Sequence, residues 1–223
     1  MGIETTTLKF LKALDKNNNR EWFLSHKEEY ELALNDMKSI AGEVEKALNK
    51  KDVIESARVF RIYRDVRFSK DKAPYKNNFG IHFTRATPQR RGGYYLHLEP
   101  GKSFAGGGFW APSPEDLKRM RDEFAFDDAP IRKIITSKTF VKYFVTLHGD
   151  ELKTAPSGYD RNHPAIDLIR KKQFIISRPF TDKEVVDPTF IKEVTLTFEA
   201  MRPYFDYMSD VLSTDINGQV LIK

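Results

Sequence analysis

The hydrophobic period changes partway along this chain, and that change constrains the fold more than any other feature. Apolar residues fall at Tyr30, Leu34, Met37, Ala41, Val44 and Leu48, in steps of four and three. That is the stripe of an amphipathic helix laid against a neighbour. Further on the step becomes two. Phe79, Ile81 and Phe83 alternate with Gly80, His82 and Thr84, and Tyr94, Leu96 and Leu98 alternate with Tyr95, His97 and Glu99. Such alternation is that of strands with one apolar and one polar face. Helical spacing then returns, ending in Phe190, Val194, Phe198, Met201, Phe205, Met208 and Leu212. Helices, then strands, then helices predict an α+β fold. We expect a mostly antiparallel sheet of about five strands packed against long N-terminal and C-terminal helices.

Capping and turn residues place the remaining elements. Thr7 is positioned to cap a short helix through Leu14, and Asn19 a second, long helix with Glu21 in its first turn, ending near Asn49 to Asp52. Val59 to Tyr63 is β-branched and aromatic and predicts a strand. Pro100-Gly101 predicts a tight turn into a strand from Ser103 to Trp110, after which Ser113-Pro114 starts a helix to about Phe124. Another helix starts at Asp128-Ala129-Pro130. A helix from Pro164 to Lys172 should lead into a strand from Gln173 to Ser177, and Pro203 should kink the last helix without dividing it. With no linker or repeat, residues 1–223 read as a single α+β domain.

The absence of cysteine excludes a disulfide framework, a thiolate metal site and a cysteine nucleophile. No stretch reaches the 18 or so apolar residues of a membrane span, and the N-terminus lacks the apolar region of a secretory signal. The expectation is a soluble cytoplasmic protein with no membrane partner. The net charge of +5 is unevenly placed. Arg58 to Arg91 contains ten basic and two acidic residues, a net +8, which leaves −3 for the rest. One basic region on a mildly acidic body points to an acidic ligand.

Within that region Arg61, Arg64, Arg67, Lys70, Lys72 and Lys76 stand among Phe60, Tyr63, Phe68 and Tyr75. Guanidinium forks with nearby ammonium groups suit phosphate or carboxylate oxygens. The competing reading is a surface loop whose arginines are paired by Asp65 and Asp71. His82, His97 and Glu99 lie on the polar faces of two strands predicted to pair. A histidine oriented by a carboxylate suits proton transfer near neutrality, so these three are the catalytic candidates. Gly106, Gly107 and Gly108, followed by Phe109 and Trp110, mark a place where another group approaches the backbone. An open floor beside His97 and Glu99 is one explanation, and a bulge that admits a bulky neighbour such as Trp22 is the other. The run is no P-loop, and no metal site is assigned.

Four motifs occur in order: N-R-E-W-F from Asn19, R-D-V-R-F-S-K-D-K-A-P-Y-K from Arg64, L-H-L-E-P-G from Leu96 and G-G-G-F-W from Gly106. Together they resemble the uncharacterised, mainly bacterial family catalogued as domain of unknown function twenty-four sixty-one. The resemblance covers nearly the whole chain and implies a single intracellular domain. It brings no activity, cofactor or catalytic residue, so the functional expectation rests on the residues themselves. That expectation is an enzyme or binding protein for a small anionic, phosphate-bearing molecule, held by the basic segment with Tyr75, Gly106 to Gly108 and Trp110 beside it. The alternative is a nucleic-acid-binding module that uses the same basic and aromatic residues. A third reading is an interaction scaffold presenting the Tyr30 to Leu48 stripe.

Overall fold

In the computed structural model, which describes residues 2–214 and 219–220, the helical first quarter consists of α1 (Thr5–Lys16), α2 (Arg20–Ser25) and α3 (Lys27–Leu48). The sheet follows as β1 (Ile54–Val59), β2 (Phe79–Arg85), β3 (Gly93–Leu98) and β4 (Ser103–Phe109). Then come α4 (Pro114–Phe126), α5 (Ala129–Ile135), α6 (Lys138–Phe144), α7 (Ile166–Ile169), β5 (Phe174–Phe180), α8 (Asp182–Val186) and α9 (Phe190–Ser213). The five strands form one antiparallel sheet in the order β1-β2-β3-β4-β5. The fold class is the α+β predicted. The chain divides into two compact units, Met1–Thr84 with Tyr95–Ala105 and Pro179–Leu196, and Arg85–Tyr94 with Gly106–Arg178 and Thr197–Lys223.

In the first unit, α3 buries Tyr30, Ala33, Met37, Ile40, Ala41, Val44 and Leu48, while Leu34 is only half-buried. Each fully buried apolar side chain contributes about 1.5–3 kcal/mol, so the stripe is held by its own core. The long second helix is broken at His26, where the ring stacks on Trp22 at 4.0 Å and its Nδ1 lies 2.8 Å from the Trp22 carbonyl oxygen. Asn19 caps α2 as predicted, its Oδ1 accepting from the Trp22 N–H. Thr7 does not cap α1. The helix begins two residues earlier, and Asp36 of α3 takes both the Glu4 N–H and the Thr7 hydroxyl, at 3.0 and 2.7 Å.

The first strand lies five residues ahead of the predicted one. Asn49, just past α3, accepts the Ile54 N–H on its side chain and so turns the chain directly into β1. Phe60 to Tyr63 leaves the regular ladder, although Phe60 N–H still donates to the Gly80 carbonyl. On β2 and β3 the alternation is as read, with Phe79, Ile81, Phe83, Leu96 and Leu98 buried. The turn between β3 and β4 carries Gly101 at φ +76°.

The second unit packs the far part of α9 on strand residues, with Tyr94 between Phe198 and Phe205 at centroid distances of 5.0 and 5.1 Å. The helix runs unbroken through Pro203. Ser113 caps α4 as predicted, accepting from the Asp116 N–H. The helix predicted from Pro164 to Lys172 shrinks to the single turn α7. Beyond it the Arg170 carbonyl accepts from Leu152 N–H, and Lys172 N–H donates to the Asp150 carbonyl, so a bridge takes the groups a helix would need. Arg85 is buried, donating to Asp206 at 2.5 Å and to the Arg91 carbonyl at 3.1 Å, and Arg91 pairs with Asp116 at 2.5 Å. Two of the ten cations in the basic run are therefore structural.

Candidate functional site

A short stretch of extra pairing builds the site, and it lies wholly within the first unit. Tyr63 and Tyr75 form an isolated antiparallel bridge, with Arg64 N–H on the Pro74 carbonyl at 2.9 Å and Lys76 N–H on the Ile62 carbonyl at 2.7 Å. Asn18 secures it by acting as a surrogate strand. Its amide donates to the Tyr75 carbonyl at 2.9 Å and accepts the Tyr75 N–H at 3.1 Å. Phe23 stacks on Tyr75 at 4.0 Å and meets Tyr63 edge-on at 5.7 Å. The N-R-E-W-F motif thus buttresses the floor beneath the arginine motif.

This pairing returns Lys76 to the neighbourhood of Arg61 and opens a groove of about 520 Å³ lined by Arg58, Val59, Phe60, Arg61, Tyr63, Arg64, Asp65 and Lys76. Four cations and one carboxylate share it. Asp65 is engaged by Arg67 through contacts of 2.6 and 2.9 Å, which hold its carboxyl below the usual range. Arg64 reaches Asp71 at 2.5 Å. The Ala73 N–H and then Arg64 keep the Asp71 carboxyl low. The Arg58 guanidinium lies 5.6 Å from the Phe60 ring centroid, a cation–π contact. Among the described residues, the side chains of Arg61 and Lys76 are exposed and have no hydrogen bond or ion pair, and Arg58 has no carboxylate partner.

Of the residues singled out from sequence, Arg61, Arg64 and Lys76 line this groove, and Arg67, Lys70 and Lys72 do not. Lys72 braces its own loop through the Val66 carbonyl at 3.1 Å. Tyr75 is buried beneath the site as support. Asp65 and Asp71 pair Arg67 and Arg64, as the loop reading expects, while Arg58, Arg61 and Lys76 form no ion pair with either, although Arg61 also helps to lower the Asp65 carboxyl. Sequence reasoning counted Arg58 among the cations without assigning it to the site. Its position three residues before Arg61 was the available signal.

His97 and Glu99 do meet on the outer face of β3, with Nε2 and Oε2 3.0 Å apart. With Nε2 donating, Nδ1 is left to accept from the Tyr95 hydroxyl at 3.4 Å, and Lys102 closes the row on Glu99 Oε1 at 3.0 Å. Burial raises the Glu99 carboxyl, but the hydrogen bonds from His97 and Lys102 outweigh it and leave the group below the usual range. Tyr95, which sequence reasoning passed over, sits where Gly80 leaves room, since a Cβ there would lie 2.9 Å from its ring. His82 is apart from this row, its Nδ1 3.3 Å from the Thr84 hydroxyl. None of His82, His97 and Glu99 lines the groove.

The glycine run serves packing. A Cβ on Gly107 would lie 2.7 Å from the Phe205 ring and 3.2 Å from the Met201 sulfur, and one on Gly108 would overlap the Phe174 carbonyl. The space expected as an open floor is filled, and the bulky neighbours are Phe205 and Met201 rather than Trp22, which stacks on His26. Trp110 is 72% exposed.

Burial pushes the His82 imidazole below its ordinary value. The unfolded chain takes up that proton near pH 6.5 while the folded chain resists it, so this stability is present above about pH 6.5 and is lost as pH falls toward the depressed folded value. His148, lowered by burial and then by Lys171, adds a contribution of the same sign. The melting midpoint should therefore fall between about pH 7.5 and 5.5, and less steeply in His82→Asn. Equal slopes for the two proteins would show that His82 is not the buried base described.

No helix among the described residues is long and apolar enough to cross a membrane. No curated protein and no solved structure matches the chain. Over residues 6–207, which span the groove, the His97–Glu99 pair and the glycine strand, it matches the family described as conserved hypothetical protein (DUF2461). The chain belongs to that family.

Proposed function

We propose that this protein binds a small phosphate-bearing anion in the groove of Arg58, Arg61, Arg64 and Lys76. The observation that carries the reading is that cations which form no ion pair share one groove. Three of the four form no ion pair, and the one acidic side chain in the groove is already neutralised by Arg67. Leaving like charges side by side costs energy in the empty protein, and an incoming dianion relieves it through charge-assisted hydrogen bonds. The reading is one of binding, because the Tyr95–His97–Glu99 row stands outside the groove lining.

The test is an amide-resonance titration of the protein with inorganic phosphate and with pyrophosphate. Saturable shifts confined to residues 58–65 and 76, weakening as salt is raised, are expected. Shifts spread over every basic surface, or none below tens of millimolar, would overturn the assignment. A nucleic-acid reading draws support from Phe68, which is 96% exposed and flanked by Arg67, so an oligonucleotide belongs among the probes.

A further inference from the structure

We infer that the groove takes a nucleoside diphosphate, with its base on Tyr63 and its phosphates on Arg61, Lys76 and Arg58. This rests on the anion-binding reading above and adds what the rest of the groove is for. Inorganic phosphate would use little of a cleft of about 520 Å³, a volume within the range of sites for whole small-molecule ligands. The cations are also strung out. Arg58 and Arg61 are three residues apart on extended backbone, about 10 Å along the chain, a spread wider than a single phosphate group. Lys76 joins Arg61 because its N–H pairs with the Ile62 carbonyl at 2.7 Å. Three cations that form no ion pair, spread along the groove, thus suit a ligand of more than one phosphate.

Tyr63 supplies the second half of the recognition. Its ring is held by Phe23, Tyr30 and Tyr75 at centroid distances of 5.7, 6.2 and 5.4 Å, all at steep interplanar angles. It nevertheless remains 45% exposed and lines the groove next to the Arg61 and Arg64 positions. A tyrosine fixed by three rings and still open on one side is preorganised to stack on a planar group, with little side-chain entropy left to lose. An inorganic anion or a sugar phosphate makes no use of it. A ring joined to two phosphates uses both the exposed tyrosine and the spread of charge.

The experiment compares ADP, CDP, pyrophosphate and ribose 5-phosphate by calorimetry on the wild-type chain, on Tyr63→Leu and on Tyr63→Phe, with melting curves to verify folding. A short oligothymidylate is the fifth probe. Binding of ADP or CDP at least about tenfold tighter than pyrophosphate and ribose 5-phosphate is expected, the range of one base–aromatic stack. Tyr63→Leu should erase that margin while pyrophosphate affinity stays the same, and Tyr63→Phe should keep it. Equal affinity for ADP and pyrophosphate would overturn the nucleotide assignment and leave the anion site standing. Oligothymidylate binding far tighter than ADP, with a steep salt dependence, would overturn it in favour of an extended nucleic-acid surface. Failure of all five probes to bind would remove both readings.

Discussion

Alanine at Gly108 will lower the melting midpoint by roughly 6–12 °C, the largest stability loss expected from a single added methyl group here. Two costs combine. The residue sits at φ +126°, where an L side chain is strained by about 1–3 kcal/mol. Its Cβ would also overlap the Phe174 carbonyl and lie 3.1 Å from the Ile175 Cα, so β4 and β5 would have to separate. A total of about 3 kcal/mol, at 2–4 °C for each, gives the stated shift. Two further glycines calibrate it. Gly101 has φ +76° with nothing within 4 Å, so its alanine costs only the backbone term of about 1–2 kcal/mol. Gly42 is exposed within α3 with nothing within 4 Å, and alanine there should stabilise by about 0.5–1 kcal/mol. Melting curves for the three variants should fall in that order. A Gly108→Ala protein no less stable than Gly101→Ala would mean that β5 does not approach the glycine strand this closely.

The legible parts of the fold are those where one period runs long enough to be unambiguous. All of Phe190, Val194, Phe198, Met201, Phe205, Met208 and Leu212 are buried along α9, and β2 spans the residues whose alternation marked it. Errors arise where a distant residue decides. Thr7 has the chemistry of a cap, but Asp36 collects its hydroxyl. The stretch after Pro164 has the composition of a helix, but Asp150 and Leu152 claim its backbone. The helices α6 and α8 are seven and five residues long, too short for a stripe to declare itself, although Ser137 and the Thr181–Glu184 capping box mark their starts. Each compact unit is assembled from three separated stretches, so reading along the chain finds no boundary between them.

The candidate site was legible in its residue types and not in its geometry. Arginine density singled out the segment, but which cations converge follows from the Tyr63–Tyr75 bridge, a pairing that Asn18 and Phe23 hold from another element. Local spacing cannot reveal that Lys76 returns to Arg61 while Lys70 and Lys72 stay on the loop. The glycine run shows the same limit in reverse. It signalled correctly that something crowds the backbone, and only the packing of Phe205, Met201 and Phe174 says what.

Removing Arg61 and Lys76 together, as Arg61→Gln with Lys76→Gln, should weaken pyrophosphate binding at least about a hundredfold. A hydrogen bond to a charged group contributes about 1.5–3 kcal/mol, and two are lost. The same pair should leave the melting midpoint nearly unchanged. Both side chains are exposed, and neither makes a hydrogen bond or ion pair with described residues, so their loss falls within the ordinary surface range of about 0.5 kcal/mol. Arg64→Ala is a poorer probe, because it also breaks the pair with Asp71 that ties down the loop. Lys70→Gln with Lys72→Gln removes the same two charges from outside the groove lining and should change affinity less than about threefold at physiological salt, where screening acts within about 8 Å. An equal loss from the two double variants would mean that the anion responds to the summed field of the basic segment, and the groove would then be no site. A hundredfold loss from the groove pair alone, in a protein that melts like the wild type, assigns the charges to a ligand and not to the fold.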